Sequence, residues 1–390
     1  MKTIVISLLC LVSTIIQAQT FSGYIETEHR YFTNKGLHSE QKAYYPSLAV
    51  ELEYNTSFNK GVSQVYIDIF GRYDFKDAER THFDIREMYY QRFFKNGYTS
   101  VGFRKVFWGV VESTNINDII NQKDMLEGIH EDYKLGEFMW QSVFIKSYGT
   151  FETYLMPYHR RIKFPGVNGR LRPPINSAPA DNSVYKNDMA NWYPSIALRY
   201  KNTFGSFDLG VNFFHGLSRE PVIRQGISEI DVSYPVINQF GGDIQYTFAG
   251  LLLKTEAIYR FNEERAHGSF VSGFEYTFSN FLKTGGDLGV VGEYLFDERG
   301  NNTLGGMDND MFVGLRFSGN DIHGTQVLVG GIFDMKKPTQ LYSIKASRRL
   351  NEIVKIEVKG NWFHKVSDKE FLYLFKDDSM IQVKLLIYIL

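Results

Sequence analysis

What limits this chain most is a double alternation. Apolar and polar side chains take turns within segments, and short and long connections take turns between them. In 45–54, Leu48, Val50, Leu52 and Tyr54 lie on one face, and Ser47, Ala49, Glu51 and Glu53 on the other. In the next segment Val65, Ile67, Ile69 and Tyr73 oppose Gln64, Tyr66, Asp68, Arg72 and Asp74. A period of two is that of a strand with two different faces. The pattern predicts eighteen strands, near 21–32, 43–54, 62–75, 81–94, 98–108, 138–148, 150–162, 191–202, 205–215, 236–248, 250–262, 268–279, 286–297, 309–318, 324–335, 339–349, 353–364 and 380–390. A count of sixteen stays open through one weak hairpin. Connections after even-numbered strands are short, as at Lys95-Asn96-Gly97, Gly149, Thr203-Phe204, Ala249 and Leu350-Asn351-Glu352. Those after odd-numbered strands include all the long ones: 109–137, 163–190, 216–235, 298–308 and 365–379.

Soluble sandwiches and β-helices also have alternating strands, but nothing in them sorts connections by length. A transmembrane, antiparallel, up-and-down β-barrel does, because short turns close one rim and long loops the other. The expected fold is therefore all-β, one closed barrel of this kind. Aromatic residues make up 16% of the chain and there are 34 glycines, which suits many strands joined by tight turns. The net charge of -1 and the lack of a basic tail argue against nucleic acid as a partner.

Residues 1–18 are expected to be a secretory signal, with Lys2, an apolar run from Ile4 to Ile16, and a cleavage site at Ile16-Gln17-Ala18. The single domain would then span 19–390. Cys10, the only cysteine, lies in the signal, so the exported chain has no thiol chemistry. Beyond Ala18 no apolar run approaches the ~18 residues of a membrane helix. The outer membrane of a Gram-negative bacterium is the expected location. In the last strand Ile381, Val383, Leu385, Ile387 and Ile389 share one face. The chain ends in Leu390, with Tyr388 two places earlier, an imperfect signal for the barrel-insertion machinery.

Several short motifs, in order, carry a family resemblance. They are Phe83-Asp84-Ile85-Arg86-Glu87-Met88-Tyr89, Gly102-Phe103-Arg104 through Trp108-Gly109, Asn121-Gln122-Lys123-Asp124 and Leu155-Met156-Pro157-Tyr158. Later come Gly292-Glu293-Tyr294, Val313-Gly314-Leu315-Arg316, Asn320-Asp321 and Ser347-Arg348-Arg349-Leu350. Together they resemble outer-membrane porins of the alginate-export type and their uncharacterised relatives. The resemblance implies a barrel channel without catalysis, and a constriction loop at 109–137. It carries over no substrate, since the arginine-rich lumen ladder of an alginate exporter is not evident here.

If the apolar faces meet lipid, the polar faces line a pore. The expected wall includes Arg72, Arg86, Arg92, Arg104, Arg199, Glu256, Arg260, Glu293 and Arg316. Both signs of charge are interspersed, which points to a water-filled passage and not an apolar lumen. The third loop, with a helix-like run at 115–121, supplies Glu112, Asp118, Asp124, Glu127, Glu131 and Asp132. These acids would face Arg72, Arg86, Arg92 and Arg104, either setting up a transverse field or simply tying the loop down. Glu87 breaks the alternation and is expected near the interface or on a bulge. In the fourth loop Arg160, Arg161, Lys163, Arg170 and Arg172 form a basic run. It reads as an outer vestibule, a contact with lipopolysaccharide, or a solvated face.

Motifs for hydrolases, zinc proteases and nucleotide binding do not occur. No cofactor is expected. Acidic runs at His130-Glu131-Asp132 and Asp308-Asn309-Asp310 lack calcium-loop spacing. The leading functional expectation is a porin-like channel for small hydrophilic solutes, charged ones included. The alternatives are a non-conducting surface scaffold and a barrel that transfers hydrophobic molecules. A homotrimer is an open expectation.

Overall fold

The computed structural model describes residues 18–129, 133–172, 184–185, 187–225, 230–303 and 307–389. The expected signal segment and the terminal Leu390 lie outside the described residues. Eighteen antiparallel strands form one closed sheet. They are β1 (Ala18–Phe32), β2 (Tyr44–Phe58), β3 (Ser63–Asp74), β4 (His82–Phe94), β5 (Gly97–Arg104), β6 (Glu137–Lys146), β7 (Gly149–Met156), β8 (Ser195–Phe204) and β9 (Phe207–Leu217). The second half comprises β10 (Val236–Phe248), β11 (Leu251–Phe261), β12 (Ala266–Phe278), β13 (Asp287–Asp297), β14 (Asn309–Ser318), β15 (Gln326–Asp334), β16 (Gln340–Arg349), β17 (Val354–His364) and β18 (Met380–Ile389). Each strand pairs with its neighbours in sequence. β18 closes the ring on β1, from Gly23 opposite Ile389 to Phe32 opposite Met380. Closure leaves no strand edge unpaired, which a barrel in lipid requires.

Alternation sets the two faces. Leu48, Val50, Trp140, Leu155, Val211, Phe240, Leu253 and Val313 point outward and stay exposed. Such an apolar belt around a closed barrel is a lipid-facing surface. The largest loops share one rim, as the connection lengths predict. The smallest do not sort by length: 262–265 and 335–339, on the long-loop rim, are shorter than 279–286 and 319–325 on the other. At the tight turn between β10 and β11, Ala249 and Gly250 both have positive φ, 43° and 86°. A two-residue turn with both central φ values positive matches the right-handed twist of the strands it joins.

Three strand ends differ from the periodicity. β5 stops at Arg104 because the next amides turn into the lumen: Lys105 N–H donates to Glu87 (3.1 Å) and Val106 N–H to Asn121 (2.7 Å). β7 stops before Pro157, and His159 N–H donates to Asn191 O instead of to a strand. β8 begins only at Ser195. The largest departure is a bulge in β4. Asp68 pairs with Glu87 but Ile69 pairs with Ile85, so Arg86 is the extra residue. Both Arg86 and Glu87 face inward, and every later residue of β4 changes side.

Candidate functional site

The loop from 105 to 136 enters the lumen and is held along two walls. On the β1–β4 wall its anchor is Glu127. Arg72 donates to both carboxylate oxygens of Glu127 at 2.7 Å, and also to Glu26 (2.8 Å) and the Ser47 hydroxyl (2.7 Å). Arg80, from the loop 75–81, bridges Glu28 (2.7 Å) and Asp74 (2.6 Å), and its Nε donates to Leu126 O. Arg30 pairs with Glu28 at 2.8 Å, and Lys384 lies 3.1 Å from Glu26. Burial alone would raise the pKa of Glu127, but the cations of Arg72 and Arg80 hold it well below the usual carboxylate range. One turn earlier, Arg86 donates to Asp124 at 2.5 Å. Arg72 and Arg86 thus spend their charge on the loop.

The other wall holds the loop in the opposite sense, with wall carboxylates and loop amides. Glu256 accepts the N–H groups of Val110 (2.6 Å), Val111 (3.4 Å) and Asn117 (3.1 Å). Glu293 accepts those of Glu112 (2.7 Å) and Ser113 (2.8 Å), plus the Ser113 hydroxyl. Asn117 donates to Gly242 O at 2.8 Å and lies so close to Gly241 that a Cβ there would sit 2.1 Å from its Oδ1. Ile119, Ile120 and Trp108 pack against Met139, Tyr154, Ala197 and Phe214 of β6–β9. The helix-like run expected at 115–121 is a turn. The side chains of Asn121 and Asp118 bond to backbone groups on either side of it, Asn121 donating to Arg104 O and Leu135 O and Asp118 accepting from Trp108 N–H. Asp118 also pairs with Lys134.

The remaining wall residues are scattered in role. Arg92, expected in the lumen, is exposed on the outer face opposite Thr99, because the bulge flips β4 before reaching it. Arg104 faces inward but meets no loop acid among the described residues: its Nη1 donates to Gln141 (2.6 Å), Ser100 (2.9 Å) and Gln91 (3.1 Å), and it stacks on Tyr89. Arg199 pairs with Asp243 at 2.7 Å. Arg260 pairs with Glu220 at 2.7 Å, and Arg299 joins the same carboxylate at 2.8 Å. Burial would raise Glu220, yet these two guanidinium groups hold it well below its ordinary value. Arg316 pairs with Glu112. Glu131 and Asp132, with His130, lie outside the described residues.

The fourth long loop is not an open basic rim. Arg160 turns in to Asp84 at 2.5 Å. Arg170 is buried, with Asp378 at 2.5 Å and carbonyls of Asn34, Lys42 and Asp377 around it. Arg172 is also buried, and Arg161 lies over the Tyr185 ring. Lys163 alone of the five is exposed. These cations serve to fasten 157–172 over the barrel. The run 308–310 brings Asp308, Asp310 and Asp334 together, with their oxygens within 4.8 Å. Lys337 supplies the positive charge there, 2.8 Å from Asp308 and 3.1 Å from Asp334.

The loop's anchors run from β1 round to β14, and the space beside it on the β11–β17 side includes two cavities. One, of about 320 Å³, lies toward the short-turn rim, between Glu112 and the inner faces of β14–β17, with Arg316, Ser347 and Glu357 in its wall. The other, of about 360 Å³, lies toward the long loops. Glu112, Leu328 and Lys345 line both. The long-loop cavity has charged side chains in its wall, among them Asp118, Lys123, Arg219 and Arg260, and beside them an apolar set that the sequence reading did not include. Phe312, Ile332, Leu341 and Phe363 pair directly across β14, β15, β16 and β17 and face inward as one row. Inward apolar residues do not break strand alternation when their opposite-face neighbours are apolar too, so the pattern is hard to see in sequence.

The acid–arginine pairs could be sought in the sequence, but the amide-binding roles of Glu256 and Glu293 and the apolar row could not. No family model matches the chain and no curated protein is found similar to it, so the alginate-export-type resemblance rests on its motifs. Similar solved structures include two variants of the porin of Rhodopseudomonas blastica. Each is 12% identical over 95% of this chain and 100% of its own, with a TM-score of 0.46.

Proposed function

We propose that this barrel is a passive outer-membrane channel, with its long-loop rim outward, whose solutes pass between the inward loop and the β11–β17 wall. The observation that carries this reading is the pair of lumenal cavities that share Glu112, Leu328 and Lys345 in their walls. The charged wall once expected to select solutes, around Arg72 and Arg86, lies under the loop and off this route. Selection falls instead to Glu112, Arg316 and Lys345. Charges of both signs at a narrow point favour small polar solutes over a single class of ion. Residues 1–18 would direct export, and the basic Lys163 would meet lipopolysaccharide or solvent.

The test is single-channel recording in a planar bilayer with the refolded chain lacking residues 1–18. Discrete conductance steps are expected. Glu112→Gln removes a negative charge at the joint and should move the reversal potential toward anion preference. A correctly closed barrel that never conducts would favour the surface-scaffold alternative and overturn the channel.

A further inference from the structure

We propose that the long-loop cavity is a binding site for a small uncharged amphiphile, an apolar body carrying a hydroxyl-rich polar end. The proposal rests on the channel reading for its place along a route, but the site is argued from its own lining.

The cavity is walled by Phe312, Ile332 and Leu341 from the barrel, Ile116 and Ile129 from the inward loop, and Phe371 from the loop 365–379. Protein interiors normally close around apolar side chains and leave no void much larger than a water. Here six large apolar residues from three parts of the chain face one another across about 360 Å³ and do not collapse. The neighbouring clusters show that collapse is available. Val111, Val271, Val291 and Leu295 pack with Phe312 on one side, and Phe363, Phe375 and Met380 pack together on the other. A concave space of this volume, with apolar side chains on one side and a few polar groups on the other, fits a small ligand.

Charge defines what the occupant is. The ionic groups at the cavity's edge are matched within the protein: Arg260 and Arg299 share Glu220, and Arg299 also takes Asp297 at 2.8 Å. A charged ligand would have to break those pairs, while an uncharged one would not. At its inner end the lining changes to Glu112 and Lys345, which continue into the polar cavity beyond. These groups can donate to and accept from hydroxyls. Apolar contact at one end and hydrogen bonding at the other describe an alkyl or aryl glycoside better than a free sugar or a hydrocarbon. An apolar lining also makes a poor path for small ions, because it sheds water.

Two readouts separate this site from the channel itself. In planar bilayers, hexyl glucoside should block the open current in a concentration-dependent way while glucose does not. The double substitution Ile332→Ser with Leu341→Ser should weaken the block by about tenfold. Independently of conduction, a diazirine-bearing hexyl glucoside is photolysed with the protein in nanodiscs. Competable label is expected on peptides containing Phe312, Ile332 or Phe371. Label confined to lipid-facing residues such as Leu253 and Val313, or not competed by hexyl glucoside, would overturn the site even if the channel conducts. Competable lumenal label without conductance would leave the site standing and remove the channel. The variants are read only where heat-modifiable gel mobility shows a closed barrel.

Discussion

Arg72 joins three separate parts of this molecule. Its guanidinium reaches Glu26 on β1, Ser47 on β2 and Glu127 on the inward loop, all in a buried setting. A buried ion network adds little relative to apolar packing, but removing one partner strands the others. Arg72→Ala should therefore cost about 3–5 kcal/mol in denaturant unfolding and expose the inward loop to protease. An unchanged unfolding midpoint would mean water already screens the cluster. Gly241 is the opposite case, a residue important for what it lacks. Gly241→Val leaves every ionic anchor in place but forces Asn117 away, since its Oδ1 lies 2.1 Å from an added Cβ. The loop's middle should lift, and conductance should change while thermal stability falls only modestly.

At the scale of elements, the inward loop is fixed by chemistry of two kinds. Its distal part is held by side-chain charges, at Asp124 and Glu127. Its proximal part is held by backbone amides on Glu256 and Glu293. Acid should therefore act unevenly. Glu127 lies below its ordinary range, so its contribution is complete above that range and is lost only as pH falls through the depressed value. The long loop 157–194 should respond sooner. Burial, aided by Arg219, pushes His159 well below its ordinary 6.5. The neutral ring accordingly contributes fully above 6.5 and progressively less as pH drops toward the depressed value. Hydrogen exchange in 157–172 should rise between neutral pH and mildly acid pH, and His159→Asn should flatten that dependence. A pH-independent profile in the native chain would show that His159 does not fasten this loop.

The barrel as a whole was open to sequence reading because its two periods, side-chain alternation and connection length, are local and repeated. Strand number follows from them, while the inward fold of the third loop was implied by the family resemblance. The candidate pore was less legible, for physical reasons. One bulge at Arg86 and Glu87 reverses the side of everything after it, which is why Arg92 sits outside. The ion network joins residues 26, 72, 127 and 384, whose proximity only closure of the ring creates. Glu256 and Glu293 look like pore charges in sequence, yet they bind amides that every loop possesses. The acids of the inward loop were expected to face Arg72, Arg86, Arg92 and Arg104; Asp124 and Glu127 do meet Arg86 and Arg72, and the space lies on the other side.

That displacement of the route is the central claim, and cysteine block tests it most directly. The only cysteine, Cys10, precedes the barrel, so single cysteines can be introduced into a thiol-free background. Leu328→Cys and Ser343→Cys stand on the β15 and β16 inner faces beside the two cavities. Ala49→Cys stands on the inner face of β2, opposite Arg72 and beneath the loop. A charged, water-soluble thiosulfonate should cut single-channel current through the first two and leave the third unchanged. Current lost at Ala49→Cys, with Leu328→Cys and Ser343→Cys unaffected, would contradict the account.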